Sequence, residues 1–593
     1  MSQNIISFFR YGYWSRLLNY TGNGGQHLLK VIFTTLAATF FEMVAMIFMV
    51  LFLSELSSSA SSVTKQVGWI KAKISFFSDT YLNGDFLLLN VLLIVFALIA
   101  RETFSFLNIY FNRVGMSQVE LNLRSKLLGS VMLADYQAAD KIGSGPFVEM
   151  AGLASIESAK LLQMGAQGLK LFFVIFSYFA VLFYSFPMLG AFGVFVGAFV
   201  VFIMSFALKR VKNYSSTLTN QGFEFSQRAD RAYSLRRSLK IDQLVKFELL
   251  DTNKHARKLY DLSVKIELVS SATRSVLTIF LFVVLFLSIY FLLKVQSIDI
   301  VLLSSGIIVM MRLTPLLLSL ARLRTGIAMK MPLFDAIDKT IKALASFPEA
   351  DYGTKLVAKK PSTLHVENLS YKYPDVVDSV LHDLNFTLKS GETVAFVGPS
   401  GAGKTTLVNV VVRLLNPSSG SVFLDNQNIN ELQLDDYRSH FCYVGQYPAI
   451  FDETVLHNLT IRSQNYEHDE LMALLRATNL DDFVDKLPDG LNTVIGERGH
   501  KLSGGQLQRI GLVSALMKKA NICIFDEPTS ALDVNNQAQI VKLIRNHTSQ
   551  CNTITIVISH NWNVVKDFDR MIILDSGRIA YDGKPVHKRF LEI

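Results

Sequence analysis

The 593-residue chain has few cysteines, few charges and few prolines for its length. Its three cysteines, Cys442, Cys523 and Cys551, lie in the C-terminal part without metal-ligand spacing. They exclude a disulfide framework and fit reduced thiols in a cytosolic domain. Charged residues make up 18% of the chain, against about 25% in ordinary soluble domains, whereas 50% are hydrophobic. This composition excludes a disordered or collagen-like chain and disfavours a purely soluble protein.

The formal net charge of +9 is unevenly distributed along the chain. Residues 1–350 contain 34 Lys and Arg against 21 Asp and Glu, whereas acidic residues are in excess over 351–593. Because the basic part is also the apolar part, the charge points to a membrane and its lipids rather than to a nucleic-acid partner. The length predicts two or more domains.

Six apolar stretches are each long enough to cross a bilayer as a helix of about 20 residues. Lys and Arg concentrate in two long connections, 112–160 and 209–268, so both connections, the N-terminus and the C-terminal half are predicted to be cytoplasmic. Both connections have the helical spacing of apolar residues, which predicts long intracellular extensions of the spans. We expect a multi-pass protein of the inner (plasma) membrane. The predicted spans are 29–53, 86–111, 161–186, 187–208, 269–293 and 298–320.

The composition changes after about residue 341, where apolar β-rich runs begin to alternate with helical patterns. The predicted fold class is therefore a polytopic α-helical membrane domain followed by an α/β domain, whose glycine-rich loop at 398–406 marks it as the P-loop type. We place the membrane domain at 1–340, a linker at 341–361 and the α/β domain at 362–593.

A phosphate-binding motif identifies that α/β domain. A buried-strand pattern leads into Gly398-Pro399-Ser400-Gly401-Ala402-Gly403-Lys404-Thr405-Thr406, and a helical pattern follows. This order of strand, glycine-rich loop and helix surrounds phosphate oxygens with backbone N–H groups at a helix N-terminus. Lys404 is predicted to reach the β and γ phosphates of ATP, and Thr405 to bind Mg²⁺.

A second buried strand ends in two carboxylates, Asp526 and Glu527. Such a strand would place Asp526 next to Mg²⁺ and Glu527 beside the γ-phosphate. A general base must lie within hydrogen-bond reach of the attacking water, and Glu527 is the predicted base.

The segment Leu502-Ser503-Gly504-Gly505-Gln506-Leu507-Gln508-Arg509 resembles the signature sequence of ABC proteins, above all of ABC transporters. The resemblance implies that Tyr373 stacks on adenine, Gln446 forms the Q-loop, Asp533 lies in the D-loop and His560 is the switch histidine. Pro528 departs from the alanine usual in exporters and leaves the carboxylates unchanged. The implied catalytic residues are Glu527, His560 and Gln446, and the implied Mg²⁺ ligands are Thr405, Gln446 and Asp526. The implied ATP contacts are Tyr373, Gly398, Ser400, Gly401, Gly403, Lys404, Thr405, Thr406, Ser503, Gly504, Gly505, Gln506 and Asp533.

Six spans and one such domain resemble the exporter class of ABC half-transporters. In that family the signature faces the P-loop of another copy, so two chains are expected to form the sites. A homodimer is the simplest assembly, and a heterodimer is the alternative. The resemblance further implies ATP-driven alternating access, with the connection tips near 135–142 and 233–239 docking on the nucleotide-binding domains.

Ionisable residues inside a membrane are costly and are candidates for function. Glu42, Arg101, Arg274 and Arg312 are the candidate cavity residues, and arginine suits phosphate or pyrophosphate. Their sequence surroundings, and a possible external helix over 65–80, resemble the lipid-linked oligosaccharide flippase of bacterial N-glycosylation. In the alternative interpretation Arg274 reaches the membrane interface, Arg101 pairs with Glu102 or Glu42, and Arg312 fixes helix packing.

The sequence thus predicts an ATP-driven exporter or flippase that moves a lipid-linked or amphipathic anionic substrate outward, such as a lipid-linked oligosaccharide or a glycolipid. An exporter of peptides, bacteriocins or drugs is the alternative on the same scaffold. A non-transport ABC ATPase is disfavoured by the six spans.

Overall fold

The computed structural model describes residues 13–21, 26–56, 86–185, 187–295, 300–349, 353–357, 360–374, 376–463, 465–496 and 502–591. The predicted external helix over 65–80 lies outside these residues. The chain divides into two compact units, Met1–Pro348 and Glu349–Ile593, called the helical unit and the nucleotide unit below.

The helical unit contains four helices of 46 to 51 residues. At 1.5 Å per residue these are about 70 Å long, more than twice the thickness of a bilayer core of about 30 Å. Their length confirms the predicted fold class, in which apolar helices continue well beyond the membrane. The helices are α1 (Tyr13–Leu18), α2 (Gln26–Leu56), α3 (Phe86–Leu133), α4 (Tyr136–Asp140), α5 (Ser144–Glu149), α6 (Ser155–Ser185), α7 (Pro187–Ser234), α8 (Arg236–Ile241), α9 (Val245–Val295) and α10 (Ile300–Ala345).

Four stretches of the described residues are long and apolar enough to cross a membrane: Leu29–Met49, Leu87–Leu133, Ser144–Ala180 and Val245–Leu287. The described part of the predicted spans at 187–208 and 298–320 falls on α7 and, from residue 300, on α10. The total of six spans, and the residues at which each span begins and ends, therefore stay predictions.

The end of the helical unit that is predicted to be cytoplasmic is held by a buried carboxylate on α10. The Asp338 side chain is only 2% exposed and accepts hydrogen bonds from Arg16 (2.9 Å), Lys342 (2.8 Å) and Tyr20 (3.1 Å). Burial alone would raise the pKa of Asp338, but these three donors outweigh it and hold the pKa below its usual range. The short helix α1 is thereby fastened to α10.

The nucleotide unit contains two sheets. The larger has the strand order β10-β9-β3-β8-β7-β6, in which β9, β3, β8, β7 and β6 are mutually parallel and β10 is antiparallel to β9. The smaller is antiparallel, in the order β2-β1-β4-β5. The strands are β1 (Thr363–Tyr371), β2 (Leu381–Lys389), β3 (Thr393–Val397), β4 (Ser419–Leu424), β5 (Gln427–Asn428), β6 (Phe441–Val444), β7 (Ile522–Asp526), β8 (Ile554–Ile558), β9 (Arg570–Asp575) and β10 (Arg578–Gly583).

Helices pack on both faces of the larger sheet. β3 and β8 are buried along their whole length, as both-sided coverage of a parallel sheet requires. The helices are α11 (Lys404–Val411), α12 (Leu434–Ser439), α13 (Val455–Thr460), α14 (His468–Ala477), α15 (Asp481–Asp485), α16 (Gly504–Met517), α17 (Val534–Cys551), α18 (Trp562–Val565) and α19 (His587–Leu591).

The strand order decides where the polar side chains meet. β3, β8 and β7 are neighbours in the sheet and run in the same direction. Their carboxyl ends therefore lie along one edge, where ligands bind in open α/β sheets. Three predicted motifs follow directly from these three strand ends: the glycine-rich loop, His560 and the acidic pair.

Candidate functional site

The glycine-rich loop after β3 has a backbone that only glycine permits at two positions. Gly398 has φ 155°, and a Cβ there would lie 2.1 Å from the Leu574 carbonyl oxygen. Gly403 has φ 96°, and its Cβ would lie 2.6 Å from a methyl carbon of Leu381. The loop can therefore present its N–H groups to a phosphate only because these positions lack side chains.

Lys404 begins α11 with its ammonium group turned back into the loop. Its Nζ donates to the carbonyl oxygens of Gly398 (2.8 Å) and Pro399 (2.9 Å). Burial lowers the pKa of Lys404, and the nearby carboxylates of Asp526 and Glu527 oppose that effect. The ammonium is thus positioned at the mouth of the loop, where an anionic ligand would replace its carbonyl partners.

The next two residues differ in exposure. Thr405 is exposed, whereas Thr406 is buried with its hydroxyl 3.3 Å from the Tyr373 hydroxyl. The Tyr373 ring also packs edge-on against Tyr371, with 4.9 Å between ring centroids. Tyr373 is therefore held beside the first turn of α11, while the Thr405 hydroxyl is accessible to a ligand.

The three residues predicted to be catalytic lie together around one carboxylate. Oε2 of Glu527 accepts a hydrogen bond from Nε2 of Gln446 at 2.9 Å. Oε1 of Glu527 lies 2.7 Å from Nδ1 of His560, whose side chain is 69% exposed. A carboxylate held between an amide and an imidazole on an accessible edge can accept a proton from water.

The backbone of Glu527 is fixed on both sides in an unusual conformation. Its φ is 49°, in the left-handed region that non-glycine residues rarely adopt. Its N–H donates to the Ile558 carbonyl at 2.9 Å, and its carbonyl accepts from Nε2 of Gln508 at 3.2 Å. These contacts determine the direction in which the side chain leaves the end of β7.

Asp526 differs from Glu527 in its electrostatic surroundings. Burial raises the pKa of Asp526 and the adjacent Glu527 raises it further, against smaller opposing effects of Tyr443 and Lys404. The Tyr443 hydroxyl donates to its carboxylate at 3.4 Å. A bound cation would relieve this repulsion between like charges.

The oxygen atoms around the loop suit Mg²⁺. The Thr405 hydroxyl, the Asp526 carboxylate and the Gln446 amide are hard oxygen ligands of the kind that this ion prefers. Within the described residues, no cluster of three or more His, Cys, Asp or Glu could hold a metal by itself. Mg²⁺ typically completes such a set with water and substrate phosphates.

The signature segment forms the N-terminus of α16. The Ser503 hydroxyl accepts from the Gln506 N–H at 3.3 Å, and the Gln506 side chain accepts from the Ser503 N–H at 2.8 Å, which is a capping box. Ser503 and Gly504 are exposed. The cap thus fixes the loop geometry while leaving its outer surface accessible.

Asp533 caps α17 through its side chain alone. Its two carboxylate oxygens accept from Asn536, one from the backbone N–H (2.9 Å) and one from the side-chain amide (2.7 Å). These bonds lower the pKa of Asp533. Both oxygens therefore serve the helix cap.

Three residues that were not predicted from the sequence form hydrogen bonds with the predicted site residues: Tyr443, Gln508 and Asn536. Gln508 is buried and also donates to the Ser530 hydroxyl at 2.7 Å. It lies inside the signature segment, so its position was a usable signal. Asn536 follows Asp533 by three residues, as a helix cap requires. Tyr443 offered no signal, because its role depends on the pairing of β6 with β7.

In the helical unit, three of the four candidate cavity residues lie within electrostatic range of one tyrosine. Glu42, Arg101 and Arg312 all interact electrostatically with Tyr178, which is 6% exposed. Arg101 also forms an ion pair with Glu102 at 2.9 Å.

Arg274 has different partners. It donates to Glu267 at 2.7 Å and to Ser271 at 2.8 Å. All three residues lie on α9, so local contacts already neutralise this arginine. The structure thus separates Arg274 from the group around Tyr178.

Comparison with known proteins is consistent with this geometry. Residues 381–530 match the family model described as ABC transporter. An ATP-dependent lipid A-core flippase of Bordetella avium (strain 197N) is 37% identical over 266 residues, which is 44% of either chain. The flippase of the same description from Francisella tularensis subsp. tularensis (strain FSC 198) is 38% identical over 245 residues, or 41% of this chain and 39% of the relative. The chain thus spans under half the length of these curated relatives.

One solved structure resembles nearly the whole chain. It is a bacterial Atm1-family ABC exporter with ATP bound, with a TM-score of 0.73 over 95% of this chain and 96% of the other. The two sequences are 21% identical, so this likeness shows a shared fold. The fold in common comprises a helical membrane domain and one nucleotide-binding domain.

Proposed function

Because the chain is built as an exporter-type ABC half-transporter, with one helical membrane domain fused to one ABC nucleotide-binding domain, we propose that it couples ATP hydrolysis to transport by alternating access. Its substrate is a lipid-linked or amphipathic anion that moves outward across the inner membrane. The nucleotide unit and the N-terminus face the cytoplasm, on the side where Lys and Arg concentrate.

In the proposed reaction the glycine-rich loop and Lys404 bind the phosphates of ATP. Mg²⁺, held by Thr405, Asp526 and Gln446, would supply charge neutralisation at the β and γ phosphates. Glu527 accepts the proton of the attacking water, and His560 orients the carboxylate from its other side. Tyr373 supports the adenine.

The observation that carries this proposal is the convergence of Gln446 and His560 on the Glu527 carboxylate, at 2.9 and 2.7 Å. These residues come from three separate segments of the chain, and their side chains meet beside the glycine-rich loop.

Glu527→Gln tests the proposed base. We expect ATP hydrolysis by the purified protein to fall by about 10²- to 10⁴-fold, the range for removal of a general base, with ATP affinity retained. Glu431→Gln is the matched control, because Glu431 forms an exposed ion pair with Lys355 outside the site. A Glu527 variant that hydrolyses ATP like the control would overturn the assignment.

A homodimer is the proposed assembly. Each chain has one glycine-rich loop and one signature segment, and the exposed Ser503 and Gly504 are available to a second copy. Since the chain carries Glu527 and His560 together with the signature, two identical copies would form two competent sites. A mass measurement on the purified complex distinguishes this assembly from a heterodimer.

An anionic lipid is the proposed substrate class. Arg101 and Arg312 lie near one buried tyrosine, and guanidinium groups bind phosphate through paired donors. The relatives described as lipid A-core flippases support a cargo of this kind. Arg274 contributes less, because Glu267 already neutralises it.

Proteoliposome assays test the substrate class. We expect Arg101→Gln and Arg312→Gln each to reduce flipping of a fluorescent lipid-linked phospho-sugar several-fold, with basal ATP hydrolysis retained. Arg274→Gln is the control and should reduce flipping less. If neither variant alters flipping of any lipid-linked anion, the arginines do not bind cargo, and transport of peptides or drugs becomes the alternative to test.

A further inference from the structure

Asn479 lies between the signature helix and the helix that begins after Asp533. It follows α14 in the left-handed conformation, with φ 51°, and it is exposed. No role in nucleotide binding or hydrolysis has been assigned to it above. Its contacts nevertheless connect two segments that both belong to the proposed ATP site.

The backbone of Asn479 is tied to the signature helix α16 through Arg509. Nη1 of Arg509 donates to the carbonyl oxygens of Thr478 (3.1 Å) and Asn479 (2.9 Å). Nε of the same guanidinium donates to the Gly505 carbonyl at 3.2 Å. One planar group therefore fixes residues 478–479 relative to the first turn of α16.

The side chain of Asn479 is tied to α17. Its Nδ2 donates to Oδ1 of Asn536 at 3.1 Å and to Oε1 of Gln539 at 2.9 Å. These directions are chemically determined. Nδ2 of Asn536 donates to the Asp533 carboxylate, and Nε2 of Gln539 donates to the Ala477 carbonyl. A carboxylate and a carbonyl can only accept, so these two bonds fix which end of each amide is the nitrogen. Both amides therefore present an oxygen to Nδ2 of Asn479, which supplies the N–H groups, and Nε2 of Gln539 also donates to Oδ1 of Asn479 at 3.4 Å.

The same two segments also touch directly. A Cβ on Gly504 would lie 3.3 Å from Cβ of Ala531, and a Cβ on Gly505 would lie 3.1 Å from the Ala531 carbonyl oxygen. The signature glycines thus pack against residues 530–533, and a small shift of α16 relative to α17 would open or close this contact.

We propose that Asn479 is a positioning residue that holds the signature segment and residues 530–533 in one fixed arrangement. The inference rests on the proposed function, in which both segments must meet the nucleotide bound by a second copy. Loss of the Asn479 donors lets α16 and α17 move independently, so the two segments reach that nucleotide less often in the correct geometry.

Asn479→Asp is the most selective variant. Aspartate is nearly isosteric with asparagine, but it places a third acceptor against the two amide oxygens. The hydrogen bond from Arg509 to the backbone carbonyl of residue 479 is retained. Asn479→Gly removes the side chain and accepts the left-handed backbone without strain. Asn552→Asp is the matched control: Asn552 also has a left-handed backbone, at φ 54°, and donates to the Ser390 hydroxyl, which can donate to a carboxylate instead.

The experiment measures steady-state ATP hydrolysis and amide hydrogen exchange of the full-length protein in nanodiscs. We expect both Asn479 variants to lower kcat at least fivefold with the ATP KM within twofold of wild type. We also expect faster exchange in peptides covering 503–509 and 530–536 in the presence of ATP. Asn552→Asp should leave both readouts unchanged.

The inference is overturned if the Asn479 variants have wild-type kcat and exchange, or if the Asn552 control shows equal losses. A fall confined to ATP affinity overturns it as well, because the glycine-rich loop would then be the part disturbed. If the wild-type chain does not hydrolyse ATP, the proposed function fails, and the exchange data still decide whether Asn479 joins the two segments.

Discussion

The two units use carboxylates that are withdrawn from solvent, fully at Asp338 and partly at Asp526, in opposite ways. In the helical unit, Asp338 is surrounded by donors from Arg16, Lys342 and Tyr20, and its pKa is held low. In the nucleotide unit, Asp526 adjoins a second carboxylate and its pKa is raised by burial and by Glu527. A satisfied charge stabilises a fold, whereas an unsatisfied charge is available to a ligand. The contrast supports a structural role for Asp338 and the proposed ligand-binding role of Asp526 without reference to sequence motifs.

Asp526→Asn should give the largest effect of the predicted substitutions, a loss of ATP hydrolysis. Removing a proposed Mg²⁺ ligand is expected to reduce ATP hydrolysis at least about 100-fold, a loss of about 2.7 kcal/mol in transition-state stabilisation. The thermal stability of the nucleotide-free protein should not fall, because the repulsion from Glu527 disappears. Phosphate release and a thermal unfolding scan measure the two quantities. A variant that loses stability along with activity would contradict the distinction drawn between Asp526 and Asp338.

Asp338→Asn should lower the stability of the protein and leave ATP hydrolysis unchanged, the reverse of the result expected for Asp526→Asn. Replacing a carboxylate that accepts from two cationic groups is expected to cost about 1.5–3 kcal/mol of stability, towards the lower end because Arg16 and Lys342 are partly exposed. ATP hydrolysis at a temperature where the variant is folded should stay near wild type. Denaturation in detergent followed by activity recovery measures the change. Asp335→Asn is the milder control, since Asp335 pairs with Arg16 alone in the described structure and its side chain is 24% exposed.

Acidification should remove the stabilising contribution of Asp338 in the helical unit. The pKa of Asp338 is lower in the folded state than the ordinary value of about 3.9. Its stabilising contribution is therefore complete above pH about 4 and is lost as the pH falls through the folded pKa. Hydrogen exchange of peptides from α1 and α10 should rise over this interval. In Asp338→Asn the rise should be absent or much smaller, and an unchanged rise would assign it to another group.

Gly129→Ala should give the smallest change in stability, and that change should be an increase. Gly129 lies inside α3, and a Cβ there would have nothing within 4 Å. Replacing glycine by alanine in a helix is expected to stabilise by up to about 1 kcal/mol, without changing ATP hydrolysis. Gly145→Ala is the contrasting variant, because its Cβ would lie 2.6 Å from the Ser226 carbonyl oxygen. Equal behaviour of the two variants would contradict the packing described for the helical unit.

The sequence predicted the fold class, and it named the residues of the proposed ATP site, because phosphate binding depends on local order. A strand, a glycine-rich loop and a helix follow one another within about 20 residues, and the chemistry tolerates little variation there. Gln446, Glu527 and His560 could be named from their motifs. Their meeting at one carboxylate depends on β6, β7 and β8 being neighbours in the sheet, which no single segment reveals.

Side chains that act between elements were beyond prediction. The partners of Asn479 lie about 30 to 60 residues away along the chain, and their amide directions depend on groups at the far ends. The network around Asp338 joins residues more than 300 positions apart. In the helical unit, apolar periodicity predicted long helices, but it could not distinguish Arg101 and Arg312, near Tyr178, from Arg274, which α9 itself neutralises.

The left-handed backbone of Glu527 has a consequence for attempts to make the protein more robust. A non-glycine residue in this region costs about 1–2 kcal/mol relative to ordinary helical or extended backbone. Selection for thermal tolerance alone is therefore expected to favour Gly or Asn at position 527, at the expense of the proposed ATP hydrolysis. Variants gathered in such a search should be sorted by turnover before they are ranked by melting temperature, since the proposed role of Glu527 sets stability against activity at this position.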